Sequence, residues 1–178
     1  MKVEEQGIGP AKTGGKQRYQ AVPRTLIFVT SRNPESNEEE VLLLKGAPTK
    51  RLWANHFNGL GGHVERDEDI QTAAEREWAE ETGLPLPTLE PLTLRGVVNI
   101  ETGAESGVLV FVFRGRTDQR LPRPSPEGTP EWIPLDRLAD YPLVDDLPHL
   151  LPRTLSDTPI FFAHYAPDAD GVMQYSFR

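Results

Sequence analysis

Between Gly62 and Leu84 the chain reads Gly62, Glu68, then Arg76-Glu77-Trp78-Ala79-Glu80-Glu81-Thr82-Gly83-Leu84, a spacing of G-x5-E-x7-R-E-(apolar)-x-E-E-x-G-(apolar). On a helix at about 100° per residue, Glu77, Glu80 and Glu81 fall within roughly one third of the circumference. Carboxylates crowded in this way repel one another, by roughly a few tenths of a kcal/mol per exposed pair. A divalent cation between them removes that repulsion, and hard oxygen ligands of this kind suit Mg2+, with Mn2+ as a substitute. A solvated acidic face would account for Glu80 and Glu81. It would not account for the glycine, the glutamate and the arginine at fixed offsets from them.

The segment resembles the Nudix box, the signature of hydrolases that cut nucleoside diphosphates linked to another group, and it fills every defining position. The resemblance runs from about Thr25 to the C-terminus. It implies an α/β (α+β) fold, a Nudix-type α/β/α sandwich with a mixed central sheet and the box helix. It also implies a metal-dependent nucleotide pyrophosphohydrolase with a small-molecule nucleotide substrate. By the same resemblance Glu77, Glu80 and Glu81 are metal ligands and the Gly62 carbonyl a further oxygen. Arg76 then orients Glu77, and Glu68 belongs to the supporting shell. A plain surface salt bridge is the alternative for Arg76 and Glu68. The family's general base is either a box glutamate or one from a downstream loop, where Glu101, Glu105, Glu127 and Glu131 are available. Glu127 lies five residues before Trp132, as the loop base does in oxidised-purine nucleoside triphosphatases, and is favoured over an ordinary solvated loop acid.

Substrate choice lies outside the box. Asn58-Gly59-Leu60-Gly61-Gly62, Trp132-Ile133-Pro134-Leu135-Asp136 and the pair Asp145-Asp146 resemble features of the 8-oxo-dGTP diphosphatases. The resemblance makes Asn58, Asp145 and Asp146 contacts to a purine, and an acidic pair that shares a proton can donate and accept at once. Capping of the following helix is the alternative for the Asp pair, and a turn role before Gly59 is the alternative for Asn58. One departure stands out: where those enzymes place an aromatic ring two residues before the first Asp, this chain has Leu143, with Tyr141 slightly earlier. An ADP-ribose or nucleotide-sugar hydrolase and a non-catalytic nucleotide sensor are the competing readings. A sensor is disfavoured because every box carboxylate is kept.

The elements that must position these groups are legible from hydrophobic pattern. Strands are expected at 24–30 and 41–45, both continuous apolar runs suited to a sheet covered on two faces. The segment 46–62 is expected to be loop, with the box helix over 69–82, capped by Asp67 or Asp69 and stopped by Gly83. Ile70, Ala74 and Trp78, four apart, should anchor that helix. Further strands are expected at 92–101, 107–115, 131–134, 160–165 and 172–177, with a Pro-rich loop over 116–129 and a second helix over 145–155. Residues 1–20 are expected to be a polar tail and 21–178 a single domain.

Composition narrows the function classes. The 178 residues suit one substantial core. A net charge of -8 disfavours a polymeric nucleic acid but not a small nucleotide arriving with its metal. With no cysteine, thiol nucleophiles and thiolate metal sites are excluded. No apolar run of membrane-spanning length occurs, so a cytoplasmic protein, monomer or homodimer, without a membrane partner is expected.

Overall fold

The computed structural model describes residues 19–49, 52–102 and 106–178. Strands β1 (Gln20–Arg32) and β2 (Glu39–Gly46) form an antiparallel hairpin with Val29 opposite Leu42. Their apolar runs are continuous because successive side chains enter different cores. Phe28, Val41 and Leu43 face one cluster, while Ile27, Val29, Leu42 and Leu44 face the other.

The remaining strands are β3 (Phe57–Asn58), β4 (Glu90–Glu101), β5 (Ser106–Arg116), β6 (Gly128–Pro134), β7 (Phe161–Pro167) and β8 (Met173–Phe177). They build one mixed sheet in the order β3-β2-β1-β5-β4-β7-β8, with β6 also on β2. The β1–β5 and β4–β7 contacts are parallel and the others antiparallel. Helix α1 (Ile70–Thr82) buries Ala74 and Trp78 on one face of the sheet, with Ile70 packed beside them. Helix α2 (Leu147–Leu155) buries Leu147, Leu150 and Leu151 on the other. The expected α/β/α sandwich is therefore the observed one.

The box helix starts and stops where its ends can be satisfied. Asp69 Oδ1 accepts the N–H groups of Gln71 and Thr72 at 2.8 and 3.0 Å. Gly83, at φ 65°, takes the left-handed conformation that closes the last turn onto the Ala79 carbonyl.

Three expectations need correction. The segment 46–62 is not wholly loop: Phe57 and Asn58 pair with Lys45 and Leu44, and Leu60 bridges Ile27, because the glycine-rich backbone lies close along the sheet. Gln20 belongs to β1 opposite Ser106, and the Tyr19 hydroxyl donates to Asn99 Oδ1 at 2.8 Å, so the expected tail of residues 1–20 gives way to sheet before its end. Residues 1–18 lie outside the described residues. Helix α2 begins at Leu147 and not at Asp145, since the two aspartates occupy the turn before it. Among the described residues no helix is long and apolar enough to cross a membrane.

Candidate active site

The glycine turn sets the site against the inner side of α1. Gly61 sits at φ 129°, and a Cβ there would meet the Thr25 carbonyl oxygen at 2.4 Å. A side chain at 61 is therefore excluded by both backbone angle and space. This close approach lets the Gly61 N–H donate to Glu81 Oε2 at 2.7 Å. Gly62 is held in register by its carbonyl, which accepts the Thr25 N–H at 2.9 Å and so uses one of that oxygen's two lone pairs. A Cβ on Gly62 would stand 2.3 Å from Glu77 Oε1.

Arg76 is the hub of the carboxylates. Its Nη2 and Nε donate to the two oxygens of Glu68 at 2.6 and 3.1 Å, a forked pair. Nη1 reaches Glu77 Oε1 at 2.9 Å and Glu80 Oε2 at 3.2 Å, and Nη2 also donates to the His63 carbonyl at 3.0 Å. Glu68 in turn accepts the Glu65 N–H at 2.8 Å. The Arg76 guanidinium, and then that N–H, hold the Glu68 carboxyl below the usual carboxylate range. The same bonds raise Arg76 above its ordinary value, Glu68 contributing most. Glu68 thus clamps the arginine that clamps Glu77, a network and not an isolated surface pair.

Glu77, Glu80 and Glu81 share the helix face read from their spacing, yet among the described residues no three acidic or histidine side chains converge on one point. The reason is local. Arg76 draws Glu77 and Glu80 toward itself, while Gly61 draws Glu81 toward the turn. The donor set still fits a hard divalent cation, because it is made of carboxylate oxygens beside backbone carbonyls. The absence of a Cβ at Gly62 lets the Glu77 carboxylate lie directly against the glycine turn. The side chains of Glu77 and Glu68 are largely buried, at 14 and 9 % exposure, and Glu81 is buried as well. Carboxylates so placed need positive charge close by.

Of the predicted bases, Glu101, Glu127 and Glu131 stand on elements other than the box helix. Glu127 is an exposed residue of the turn before β6, where its N–H donates to Ser125 Oγ at 3.2 Å and its carbonyl accepts the Ala47 N–H at 3.1 Å. Glu101 ends β4 and pairs with His164 Nε2 at 2.8 Å. Glu131 lies in β6 opposite Leu43. Glu105 lies outside the described residues.

The two segments that carry the predicted purine contacts are joined by their backbones. Phe57 and Leu143 form a parallel bridge, with the Phe57 N–H on the Pro142 carbonyl at 2.8 Å and the Val144 N–H on the Phe57 carbonyl at 3.0 Å. Asn58 is thereby carried alongside the segment that ends in Asp145-Asp146. Asn58 Oδ1 accepts the Gly59 N–H at 2.8 Å, the turn contact weighed against a recognition role. Tyr141 stands edge-on to Phe57 with ring centroids 5.6 Å apart, so its ring is already packed and Leu143 leaves the aromatic position unfilled.

Asp146 occupies the N-cap position of α2 but its side chain makes no capping bond. Burial raises its carboxyl above the ordinary range, and the neighbouring Tyr165 hydroxyl works against that shift. Asp145 is exposed. Tyr165 was not among the residues singled out by sequence. It is the inward residue at i+4 of a strand whose Phe161 and Ala163 are plain core, so it reads as core until its polar tip is placed.

Comparison with known proteins agrees with this architecture. The NUDIX domain family model matches residues 23–154. The chain belongs to the Nudix family and is a Nudix hydrolase, a class that acts on small nucleotides and generally uses divalent metal ions. It is 30% identical over 138 residues to the oxidized purine nucleoside triphosphate hydrolase of Mus musculus, covering 76% of this chain and 86% of that protein. The protein of that name from Danio rerio is 33% identical over 97 residues, which is 54% of this chain and 60% of the relative. Among solved structures, a MutT protein from Bacillus halodurans superposes with TM-score 0.69 at 21% identity, over 88% of this chain and 97% of that one. The Nudix domain of Shewanella oneidensis NrtR, solved with ADP ribose, gives TM-score 0.65 at 15% identity over 86 and 96%. These two likenesses speak for the fold alone.

Proposed function

We propose that the chain, as one catalytic domain over 21–178, is a Mg2+-dependent pyrophosphohydrolase of oxidised purine nucleoside triphosphates such as 8-oxo-dGTP, yielding the monophosphate and pyrophosphate. The observation that carries this reading is the continuity of one short segment. Phe57, next to Asn58, bridges Leu143 of the stretch that leads to Asp145-Asp146, and three and four residues after Asn58 Gly61 donates to Glu81 and Gly62 lies against Glu77. A base held at one end of that segment presents its phosphates to the carboxylates at the other. The relatives named for oxidised purine hydrolysis support the same substrate class.

Glu77, Glu80 and Glu81, with the Gly62 carbonyl, would hold the ion. Such an ion would supply positive charge against the polyphosphate and would favour deprotonation of the attacking water. Arg76 fixes the rotamer of Glu77, and Glu68 fixes Arg76. Glu127 accepts the proton of the attacking water, whose oxygen forms the new bond to phosphorus as the bond to the bridging oxygen breaks. Asn58 and the Asp pair read the base through hydrogen bonds. A wrong base leaves the groups it covers unpaired, which is how such a site discriminates.

The test is a panel of 8-oxo-dGTP, dGTP, ADP-ribose and a nucleoside diphosphate sugar, assayed with Mg2+ for rate and product. The reading expects the highest specificity constant for 8-oxo-dGTP. Equal values for 8-oxo-dGTP and dGTP, or a best value on ADP-ribose, would remove the oxidised-purine assignment.

A further inference from the structure

The loop that carries Glu127 is closed at its neck by Arg120. Arg120 and Trp132 stand at the two ends of the segment 120–132 and hold each other twice. The Trp132 indole Nε1–H donates to the Arg120 carbonyl at 3.2 Å, and the Arg120 guanidinium carbon lies over the Trp132 ring, 4.7 Å from its centroid. Arg120 Nη2 also pairs with Glu40 Oε2 of β2, and Glu40 Oε1 accepts a hydrogen bond from Asn33 Nδ2 at 3.0 Å. Further along, the Arg123 N–H donates to the Thr82 carbonyl at 2.8 Å, an oxygen for which the last turn of α1 has no donor of its own. Thr82 directly follows Glu80 and Glu81, so the loop is tied to the end of the box helix that carries those two glutamates. Ser125 and Gly128 bond each other both ways, N–H to carbonyl at 2.9 and 3.2 Å, and that turn holds Glu127. Pro122, Pro124 and Pro126 each fix a backbone angle between neck and turn, which leaves few free torsions to absorb a shift of the neck.

Stability alone does not call for such a neck. The Arg120 and Glu40 side chains are 18 and 7 % exposed, and Arg120 Nη1 is buried with no hydrogen-bond partner among the described residues. A buried ion pair is often matched in stability by apolar residues of similar size. What a flat guanidinium adds is one geometry, since it stacks and pairs at the same time.

We propose that Arg120 is a positioning residue for the general base: by closing the loop on Trp132 and Glu40, it holds the Glu127 turn in register with the C-terminal turn of the box helix. This rests on the reading of Glu127 as the base. A base acts only within hydrogen-bond reach of the attacking water, so a loosened neck lowers kcat and leaves KM nearly unchanged.

The experiment compares wild type, the neck variant R120M/E40Q, E127Q and the triple variant, on whichever nucleotide of the panel the wild type turns over fastest. Changing both neck residues leaves no buried charge unpaired, and the assays run below the melting midpoint of every variant. The neck variant is expected to lose about 10- to 10²-fold in kcat with KM little changed. In the E127Q background the neck substitutions should add nothing, so the triple variant should match E127Q. A merely structural neck would instead multiply its loss with that of E127Q, and this result overturns the proposal. A neck variant of normal kcat overturns it as well. With E127Q itself strongly impaired, either of those results removes the role of Arg120 and leaves Glu127 standing as the base. E127Q at the wild-type rate would remove Glu127, and Arg120 with it. Should R120M/E40Q fail to fold, W132F takes its place under the same comparisons, because it keeps a ring beneath the guanidinium and loses the indole N–H bond at the neck.

Discussion

Gly62 and Glu77 stand so close that no side chain fits between them: a Cβ on Gly62 would lie 2.3 Å from Glu77 Oε1 and 2.6 Å from its carboxyl carbon. The glycine of the box is thus a spatial requirement of Glu77, the first glutamate proposed to hold metal. Gly62→Ala should displace the Glu77 carboxylate while leaving the backbone conformation accessible. A displacement of this order should cost about 10²-fold in kcat. The check is steady-state kinetics beside a thermal melt, with near-normal turnover counting against the placement of Glu77.

Arg76 makes five hydrogen bonds through its three guanidinium nitrogens, two of them to Glu68. Lysine carries the charge but cannot reproduce the fork. Arg76→Lys and Glu68→Gln should each lower activity or metal affinity by roughly 10- to 100-fold. A metal titration of activity separates the two effects, and wild-type behaviour in both variants would reduce the network to a surface salt bridge.

Glu127→Gln should lower the rate by roughly 10²- to 10⁴-fold with little change in nucleotide affinity, as expected when a general base is lost. Glu101→Gln should have a small effect, since Glu101 is engaged with His164 at the end of β4. The reverse pattern would move the base to the β4–β5 hairpin.

The box was legible because its residues act through local geometry. Helix periodicity puts Glu77, Glu80 and Glu81 on one face, Asp69 caps the helix, and Gly83 ends it. Strand cores were legible for a similar reason, since a run such as Val41-Leu42-Leu43-Leu44 can be satisfied only between two apolar layers. What stayed hidden was set by contacts distant in sequence. The bridge of Phe57 to Leu143 joins segments that no periodicity links, and it brings the strand that holds Asn58 to the stretch that leads to Asp145 and Asp146. Tyr165 was invisible because its strand pattern is that of ordinary core. The splay of the box carboxylates depends on Arg76 and on the Gly61 N–H, neither of which the helix pattern describes.

Acid should weaken the start of the box helix. The N–H of Thr72, the Thr72 hydroxyl and the N–H of Gln71 hold the Asp69 carboxyl below its ordinary value. A depressed carboxyl contributes stability above its unfolded-state value and loses it as pH falls through the folded-state value. Asp69→Ala should therefore lower the melting midpoint at neutral pH, and its difference from wild type should shrink as pH falls below the ordinary aspartate range. A difference constant across that window would show that the cap is not made by the ionised side chain.

The most direct test of the account is to follow the products of 8-oxo-dGTP with and without Mg2+. With Mg2+, the account predicts stoichiometric 8-oxo-dGMP and pyrophosphate, no reaction in the presence of a chelator, and a loss of orders of magnitude in Glu77→Gln with the fold intact. Orthophosphate as the first product, turnover that survives the chelator, or a Glu77→Gln enzyme of near-normal rate would contradict it.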